Sequence, residues 1–116
     1  MPPPAGDLVQ ARFDATQQWL RQAPVDYYSI QLLTANTQGL SAMEKLLERA
    51  ATNNRDLSAY HVYGVKIDGR QHYRLAYGSY ATRADANRAI RDLPAVYRKA
   101  GPYLRSIERM RSQNRR

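Results

Sequence analysis

An Asp-Gly pair between two segments rich in β-branched and aromatic residues constrains this chain more than any other feature. Asp68-Gly69 suits a two-residue type I′ turn, because both central positions of that turn need positive φ. The segment before the pair, 59–67, and the segment after it, 70–78, both have the composition of strands. The pair therefore predicts an antiparallel hairpin in the middle of the chain.

Helix-start signals stand at three places along the sequence. Asp7 is placed to cap a first helix before a stripe of apolar residues. Ser41 and Glu44 have the spacing of a capping box and predict the start of a second helix. Thr82 is placed to cap a third helix, which Pro94 is expected to kink or restart.

Two further strands, at 27–33 and 103–107, complete the predicted element order α-β-α-β-β-α-β. After the leading helix this is βαββαβ, the order of ferredoxin-like and RNP-like α+β domains. We therefore expect a four-stranded antiparallel sheet with two helices on one face, an open second face and an N-terminal helix as a brace. The expected boundaries are a linker and helix in 1–24, the domain in 25–108 and a basic tail in 109–116.

Composition narrows the classes of function. The chain has 18 Lys and Arg against 10 Asp and Glu, a formal charge of +8, and no cysteine. The positive balance favours an anionic partner: nucleic acid, a membrane surface or an acidic polysaccharide. The lack of cysteine excludes disulfides and Cys-based zinc sites. The sequence has neither a long apolar run nor a signal peptide, so we expect a soluble piece of a larger protein whose membrane anchor lies elsewhere.

No group of residues has the spacing of a catalytic or metal site. His61 and His72 belong to no ligand motif, so no metal is expected. Asp7, Asp68 and Asp85 are explained by helix caps and the hairpin, which leaves no carboxylate pair for acid–base catalysis. Phosphate-binding glycine loops and the G-x-S-x-G motif are absent. We therefore expect a protein without enzymatic activity and without a cofactor.

The open face of the predicted sheet carries the residue types suited to binding. Side-chain alternation along the strands assigns these residues to it: Ser29, Gln31, Leu33, His72, Arg74, Ala76, Tyr103 and Arg105. Rings stack on sugars or bases, amides bond to hydroxyls or base edges, and guanidinium groups bind carboxylate or phosphate. The set indicates a carbohydrate or nucleic-acid platform. A simpler interpretation of Gln31 alone is a solvated residue on an uncovered face.

The sequence resembles the SPOR (sporulation-related repeat) domain over about residues 19–107. The resemblance is carried by YSIQLL at 28–33, HYRLAYGSY at 72–80 after the Asp-Gly turn, TRADANRA at 82–89 and GPYLRS at 101–106. Each segment is short, and their order and spacing together are what is specific. The sequence looks closest to the SPOR domains at the C-termini of bacterial cell-division proteins. The resemblance implies the βαββαβ fold and binding to septal peptidoglycan whose glycan has lost its stem peptides.

The resemblance also implies binding residues. The family's binding glutamine falls on Gln31 and its small hydroxyl residue on Thr34. Two aromatic positions, often Trp in close relatives, fall on His72 and Tyr103, which offer smaller rings. The open-face assignment, and not the resemblance, adds Ser29, Arg74 and Arg105 to this set. The carboxylate of N-acetylmuramic acid, freed of its peptide, is the partner expected for the two arginines.

The location and partners follow from the same resemblance. We expect a periplasmic monomer at the division septum, bound to glycan strands and contacting the membrane only through the anchor of its parent protein. Two rivals stay open. An RNA- or DNA-binding module has the same topology, but no RNP1 element is present and Tyr73 and Tyr77 take the core-facing parity. A protein–protein interaction module would leave Gln31 and Arg74 unexplained.

Overall fold

The computed structural model describes residues 6–53 and 55–115. Residues 1–5, Asn54 and Arg116 lie outside the described residues, and with them parts of the predicted linker, second-helix stop and basic tail. The elements in chain order are α1 (Asp7–Gln22), β1 (Tyr28–Asn36), α2 (Leu40–Thr52), β2 (Tyr60–Ile67), β3 (Arg70–Tyr80), α3 (Arg83–Arg91), α4 (Ala95–Arg98), β4 (Tyr103–Ser106) and α5 (Ile107–Gln113). Within the described ranges, no helix is long and apolar enough to cross a membrane.

The four strands form one antiparallel sheet in the order β2-β3-β1-β4. At the hairpin between β2 and β3, Asp68 has φ 51° and Gly69 has φ 78°, as a type I′ turn requires. Helices α2, α3 and α4 pack on one face, where Ile30, Met43 and Leu75 are fully buried. The predicted α+β, RNP-like βαββαβ fold is confirmed.

Helix α1 covers the edge strand β2. The hydroxyl oxygen of Thr16 accepts a hydrogen bond from the backbone N–H of Val62 at 2.9 Å. The Nε–H of Arg12 donates to the carbonyl oxygen of Tyr60 at 2.9 Å. An exposed strand edge presents unpaired N–H and C=O groups to other chains. The N-terminal helix therefore satisfies the sheet edge as well as adding apolar side chains to the core.

The helix-start predictions have mixed outcomes. Thr82 caps α3, because its side chain accepts from the N–H of Asp85 at 3.1 Å. The capping box at Ser41 is wrong, since α2 begins one residue earlier and has no side-chain cap. Glu44 instead accepts from the N–H groups of Leu8 and Val9 at 3.1 and 2.8 Å, which closes the first turn of α1 from a neighbouring helix.

Two further start and stop signals are clear in the structure. Helix α1 begins at Asp7, as predicted, but the Asp7 side chain makes no cap hydrogen bond. Pro94 separates α3 from α4 and stands immediately before the first residue of α4. The predicted restart at Pro94 is therefore confirmed, because proline fits the start of a helix and not its interior.

The second face of the sheet is covered by α5, so the prediction of an open face is wrong. Ile107 and Met110 are one turn apart on α5, are fully buried and pack with Tyr63 and Ala76 of the sheet. Ser106 caps this helix by accepting from the N–H of Arg109 at 3.1 Å. In place of a basic tail, residues 107–113 form a helix whose buried apolar stripe lies among exposed charged residues.

A register shift in β1 explains a second correction. The pairing of β1 with β3 slips between Gln31 and Leu33, so an extra residue is inserted there. Leu33 then joins Leu32 against the helix-side core, whereas alternation had placed it on the opposite face. The same shift places Thr34 opposite Arg74, on the face that carries Gln31.

Candidate functional site

Apart from Leu33, the predicted site residues share the face that α5 covers. Gln31 is opposite Tyr103 and Ser29 is opposite Arg105 in the ladder between β1 and β4. Across the ladder between β1 and β3, Thr34 is opposite Arg74, and His72 lies two pairs further along, opposite Asn36. The structure therefore brings together the following residues: Ser29, Gln31, Thr34, His72, Arg74, Tyr103 and Arg105.

Gln31 lies at the buried centre of this face. Its side chain is 3% exposed, and its Oε1 accepts a hydrogen bond from the hydroxyl of Tyr63 at 2.6 Å. Its Nε2 lies 3.7 Å from the sulfur of Met110 on α5. Burial raises the pKa of Tyr63 to about 12, so the hydroxyl keeps its proton at neutral pH and donates this hydrogen bond. The interpretation of Gln31 as a solvated residue is wrong, although its predicted face is right.

Ser29 is also buried on this face, and its hydroxyl already has a hydrogen-bond partner within the fold. Its hydroxyl donates to the carbonyl oxygen of Tyr77 at 3.2 Å, across the β1–β3 ladder. The backbone oxygen of Ser29 lies 3.4 Å from Nε2 of Gln31. A ligand on the surface of α5 would reach neither side chain.

Two arginines of the sheet converge on one residue of α5. The Nη1 atoms of Arg74 and Arg105 each donate to Oε1 of Gln113 at 3.0 Å. The Nε atoms of both arginines are buried and have no hydrogen-bond partner among the described residues. Beside them lies a pocket of about 160 Å³ with further cationic side chains, lined by Val65, Lys66, Arg74, Ser112, Gln113 and Arg115.

The rim of the face is reachable from solvent while α5 is in place. Tyr103 is 46% exposed, and Arg105 lies over its ring with 5.4 Å between the guanidinium carbon and the ring centroid. Nη2 of Arg105 also donates to the Tyr103 hydroxyl at 3.1 Å. Thr34 is exposed, and His72 is half-buried with its Nδ1 3.1 Å from the carbonyl oxygen of Arg70. This rim offers a ring, a hydroxyl and an imidazole to a ligand.

Sequence reasoning missed Tyr63, Gln113 and the helix that carries Gln113. One local signal was present, since Ile107 and Met110 have helical spacing and Ser106 precedes them as a cap. The contacts of Tyr63 and Gln113 depend on α5 folding back across the sheet, which no local pattern indicates. Across the described residues, no three His, Asp or Glu side chains are grouped closely enough to hold a metal ion.

The geometry defines a small α+β domain of RNP-like fold, with polar and aromatic side chains grouped on one face of its sheet. The family model described as SPOR domain matches residues 24–106, and this chain belongs to that family. It is 34% identical over 92 residues to the cell division protein DamX of Serratia marcescens. That alignment covers 78% of this chain and 39% of the relative, so the chain spans well under half of the relative's length. All of α1 and all of α5 lie outside the residues matched by the family model.

Proposed function

We propose that this domain binds peptidoglycan glycan strands that lack stem peptides, and so brings the protein of which it is part to the division septum. Membership in the SPOR domain family supports peptidoglycan as the ligand. The similarity to a protein named for cell division supports the septum as the location. One observation carries the proposal: Gln31, Arg74, Tyr103 and Arg105 gather on a single face of the sheet.

The proposed role is non-catalytic, and each residue type has a task that suits a glycan. Tyr103 and His72 supply flat rings at the rim for stacking on sugar faces. Thr34 supplies a hydroxyl, and Gln31 an amide, for hydrogen bonds to sugar hydroxyls and N-acetyl groups. The two arginines supply donors for an anionic group on the strand. The location that follows is the periplasm.

The position of α5 divides the proposed site into two parts. Tyr103 and Thr34 are accessible as the domain stands, whereas Gln31 lies beneath Met110. We infer that a glycan first contacts the rim, and that Gln31 reaches it only in a state with α5 lifted from the sheet. A binding-competent state that is only partly populated lowers the apparent affinity in proportion to its population.

Sedimentation with purified sacculi tests the proposal. The domain should co-sediment with sacculi whose stem peptides have been removed by an amidase, and much less with untreated sacculi. Moderate salt should weaken the binding only in part, because ring stacking and neutral hydrogen bonds are not screened. Equal binding to both preparations, or complete loss in moderate salt, would indicate charge attraction by a polycation. Tight binding to RNA or DNA at physiological salt, without sacculus binding, would favour the nucleic-acid alternative.

A further inference from the structure

We propose that Arg74 and Arg105 form a binding site for a single carboxylate, and that the side-chain oxygen of Gln113 occupies the position of a ligand oxygen. The proposal rests on the proposed function and names the group on the glycan that the site recognises. That group is the lactyl carboxylate of N-acetylmuramic acid, which becomes free when the amide bond to the stem peptide is hydrolysed.

The geometric basis for the carboxylate site is that two guanidinium groups donate to one oxygen. Each Nη1 lies 3.0 Å from Oε1 of Gln113, so the two nitrogens are separated by at most twice that distance. A carboxylate has two oxygens and several lone-pair directions, and two arginines at this spacing can both donate to it. The amide of Gln113 fills the same place with one neutral oxygen.

The charge of this pair is not compensated by the protein. Within the described ranges, the single ion pair joins Arg88 and Asp85 on α3, on the opposite side of the sheet. The buried Nε–H groups of Arg74 and Arg105 also have no acceptor there. Hydrogen bonds to an ionised acceptor are about twice as strong as those between neutral groups. A carboxylate would therefore bind here more strongly than the Gln113 amide does.

The adjoining pocket gives the carboxylate a route to the pair. Lys66 and Arg115 line it together with Arg74 and Gln113, so its walls are cationic. Because Gln113 is the last residue of α5, its side chain can move aside with little change in the helix. The ligand would thus replace Gln113 at the two arginines without entering the apolar interface around Met110.

Such a site accounts for a preference for stripped glycan strands through charge. On an intact strand the lactyl group is an uncharged amide that carries a peptide. Hydrolysis of that amide leaves a carboxylate on the sugar and releases the peptide as an amine. The arginines would thus recognise the carboxylate that peptide removal produces. This charge effect would add to the steric effect of losing the bulky peptide.

Chemical reduction of the carboxylates tests this inference. Wild-type domain is titrated with amidase-stripped glycan strands and with the same strands after their muramic acid carboxylates have been reduced to alcohols. We expect roughly tenfold weaker binding to the reduced strands, since both charge-assisted hydrogen bonds are lost. Equal affinity for the two preparations would overturn the carboxylate site and leave the proposed function standing. Failure to bind either preparation would overturn the proposed function itself.

Substitution of each arginine, with a control arginine elsewhere, tests whether this pair recognises the carboxylate. Arg74→Gln and Arg105→Gln should each reduce the preference for unreduced strands. Arg91→Gln removes the same charge from an exposed position on α3 and should leave the preference unchanged. A preference that falls equally in all three variants would indicate net charge alone, which overturns the proposal.

Gln113→Glu places a carboxylate inside the chain at the proposed ligand position. It should raise the melting temperature and weaken binding to stripped strands, because the internal carboxylate competes for both arginines. Gln113→Ala removes the side-chain oxygen without adding charge and should bind stripped strands at least as well as the wild type. A Gln113→Glu protein with unchanged or lower melting temperature and wild-type binding would contradict the site.

Discussion

The hydroxyl of Tyr63 and the side-chain amide oxygen of Gln31 are joined by a 2.6 Å hydrogen bond beneath α5. Both residues are almost fully buried, on the sheet face that α5 covers. Alternation assigned Gln31 to that face correctly. A buried polar pair of this kind stabilises the fold only while both partners are present. The residue that the family resemblance assigns to ligand binding is therefore also part of the structure under α5.

Removing the Tyr63 hydroxyl should destabilise the domain. Tyr63→Phe leaves the buried Oε1 of Gln31 without this donor, and we expect the free energy of unfolding to fall by about 1–3 kcal/mol. Urea denaturation measures the change. Tyr28→Phe is the matched control, because the Tyr28 hydroxyl makes no hydrogen bond to the described residues. Adding Gln31→Met to Tyr63→Phe should cost less than the sum of the single changes, and strict additivity would mean that the two residues are not coupled.

Acid should destabilise the domain through His61. The ring is buried and stacks on Trp19 with 3.6 Å between the centroids. Burial, with a smaller contribution from the charge of Arg12, lowers the pKa of His61 from 6.5 to about 3. The unfolded chain therefore binds a proton below pH 6.5 that the folded chain does not accept until about pH 3. Stability from the neutral ring is present above pH 6.5 and is lost progressively as the pH falls towards 3.

Urea midpoints at pH 7.5 and pH 5 measure this loss. We expect the His61 contribution to the free energy of unfolding to fall by about 2 kcal/mol between these two values. His61→Phe retains a flat ring against Trp19 and should remove this part of the pH dependence. Identical pH dependence in the two proteins would assign the effect to carboxylates elsewhere.

Two leucines of the helix-side core should differ in their contribution to stability. Leu75 is fully buried in β3, whereas Leu46 on α2 is only partly buried beside a groove. Leu75→Ala should cost about 2–5 kcal/mol, because the cavity it leaves is enclosed on all sides. Leu46→Ala should cost clearly less, since solvent and mobile side chains can fill the space. Chemical denaturation of both variants under one set of conditions gives the comparison, and equal losses would contradict the described burial.

Tyr103 should affect binding without affecting the fold. Its ring is 46% exposed, so Tyr103→Ala should leave the melting temperature nearly unchanged. By analogy with stacking of bases on aromatic rings, the loss of glycan affinity should be about 1–3 kcal/mol, or roughly tenfold to a hundredfold. Tyr103→Trp should bind at least as well as the wild type. A folded Tyr103→Ala protein with full sacculus binding would remove Tyr103 from the site.

The parts of the fold that follow from local chemistry were predictable from the sequence. The Asp68-Gly69 turn, the Thr82 cap and the restart at Pro94 each depend on neighbouring residues alone. Strand alternation also gave the correct face for Gln31 and Arg74, up to the register shift that moves Leu33. These signals were sufficient for the βαββαβ order, because each depends on local backbone geometry and not on the final packing.

The remainder depends on partners that are distant in the sequence. Glu44 has the spacing of a capping box, yet the N–H groups it accepts from are those of Leu8 and Val9 in another helix. Charged residues surround the apolar stripe of α5, and that stripe is buried only because the helix packs against distant residues that include Tyr63 and Ala76. The burial of Gln31 and the contact between Gln113 and the arginines are consequences of that one docking event. The sequence therefore predicted the sheet face that carries Gln31 and Arg74, but not that α5 would bury Gln31.

The cover that α1 provides for β2 has a consequence for any fragment cut to the family boundaries. A chain of residues 24–106 would lack the Thr16 hydroxyl, which accepts from the backbone N–H of Val62. It would also lack the Arg12 guanidinium, which donates to the carbonyl oxygen of Tyr60. It would also lack α5, which covers Tyr63. The bare strand could then pair with the same strand of a second molecule, with an apolar sheet face beside it. Such a fragment would aggregate edge to edge, and the extent of aggregation would rise with protein concentration.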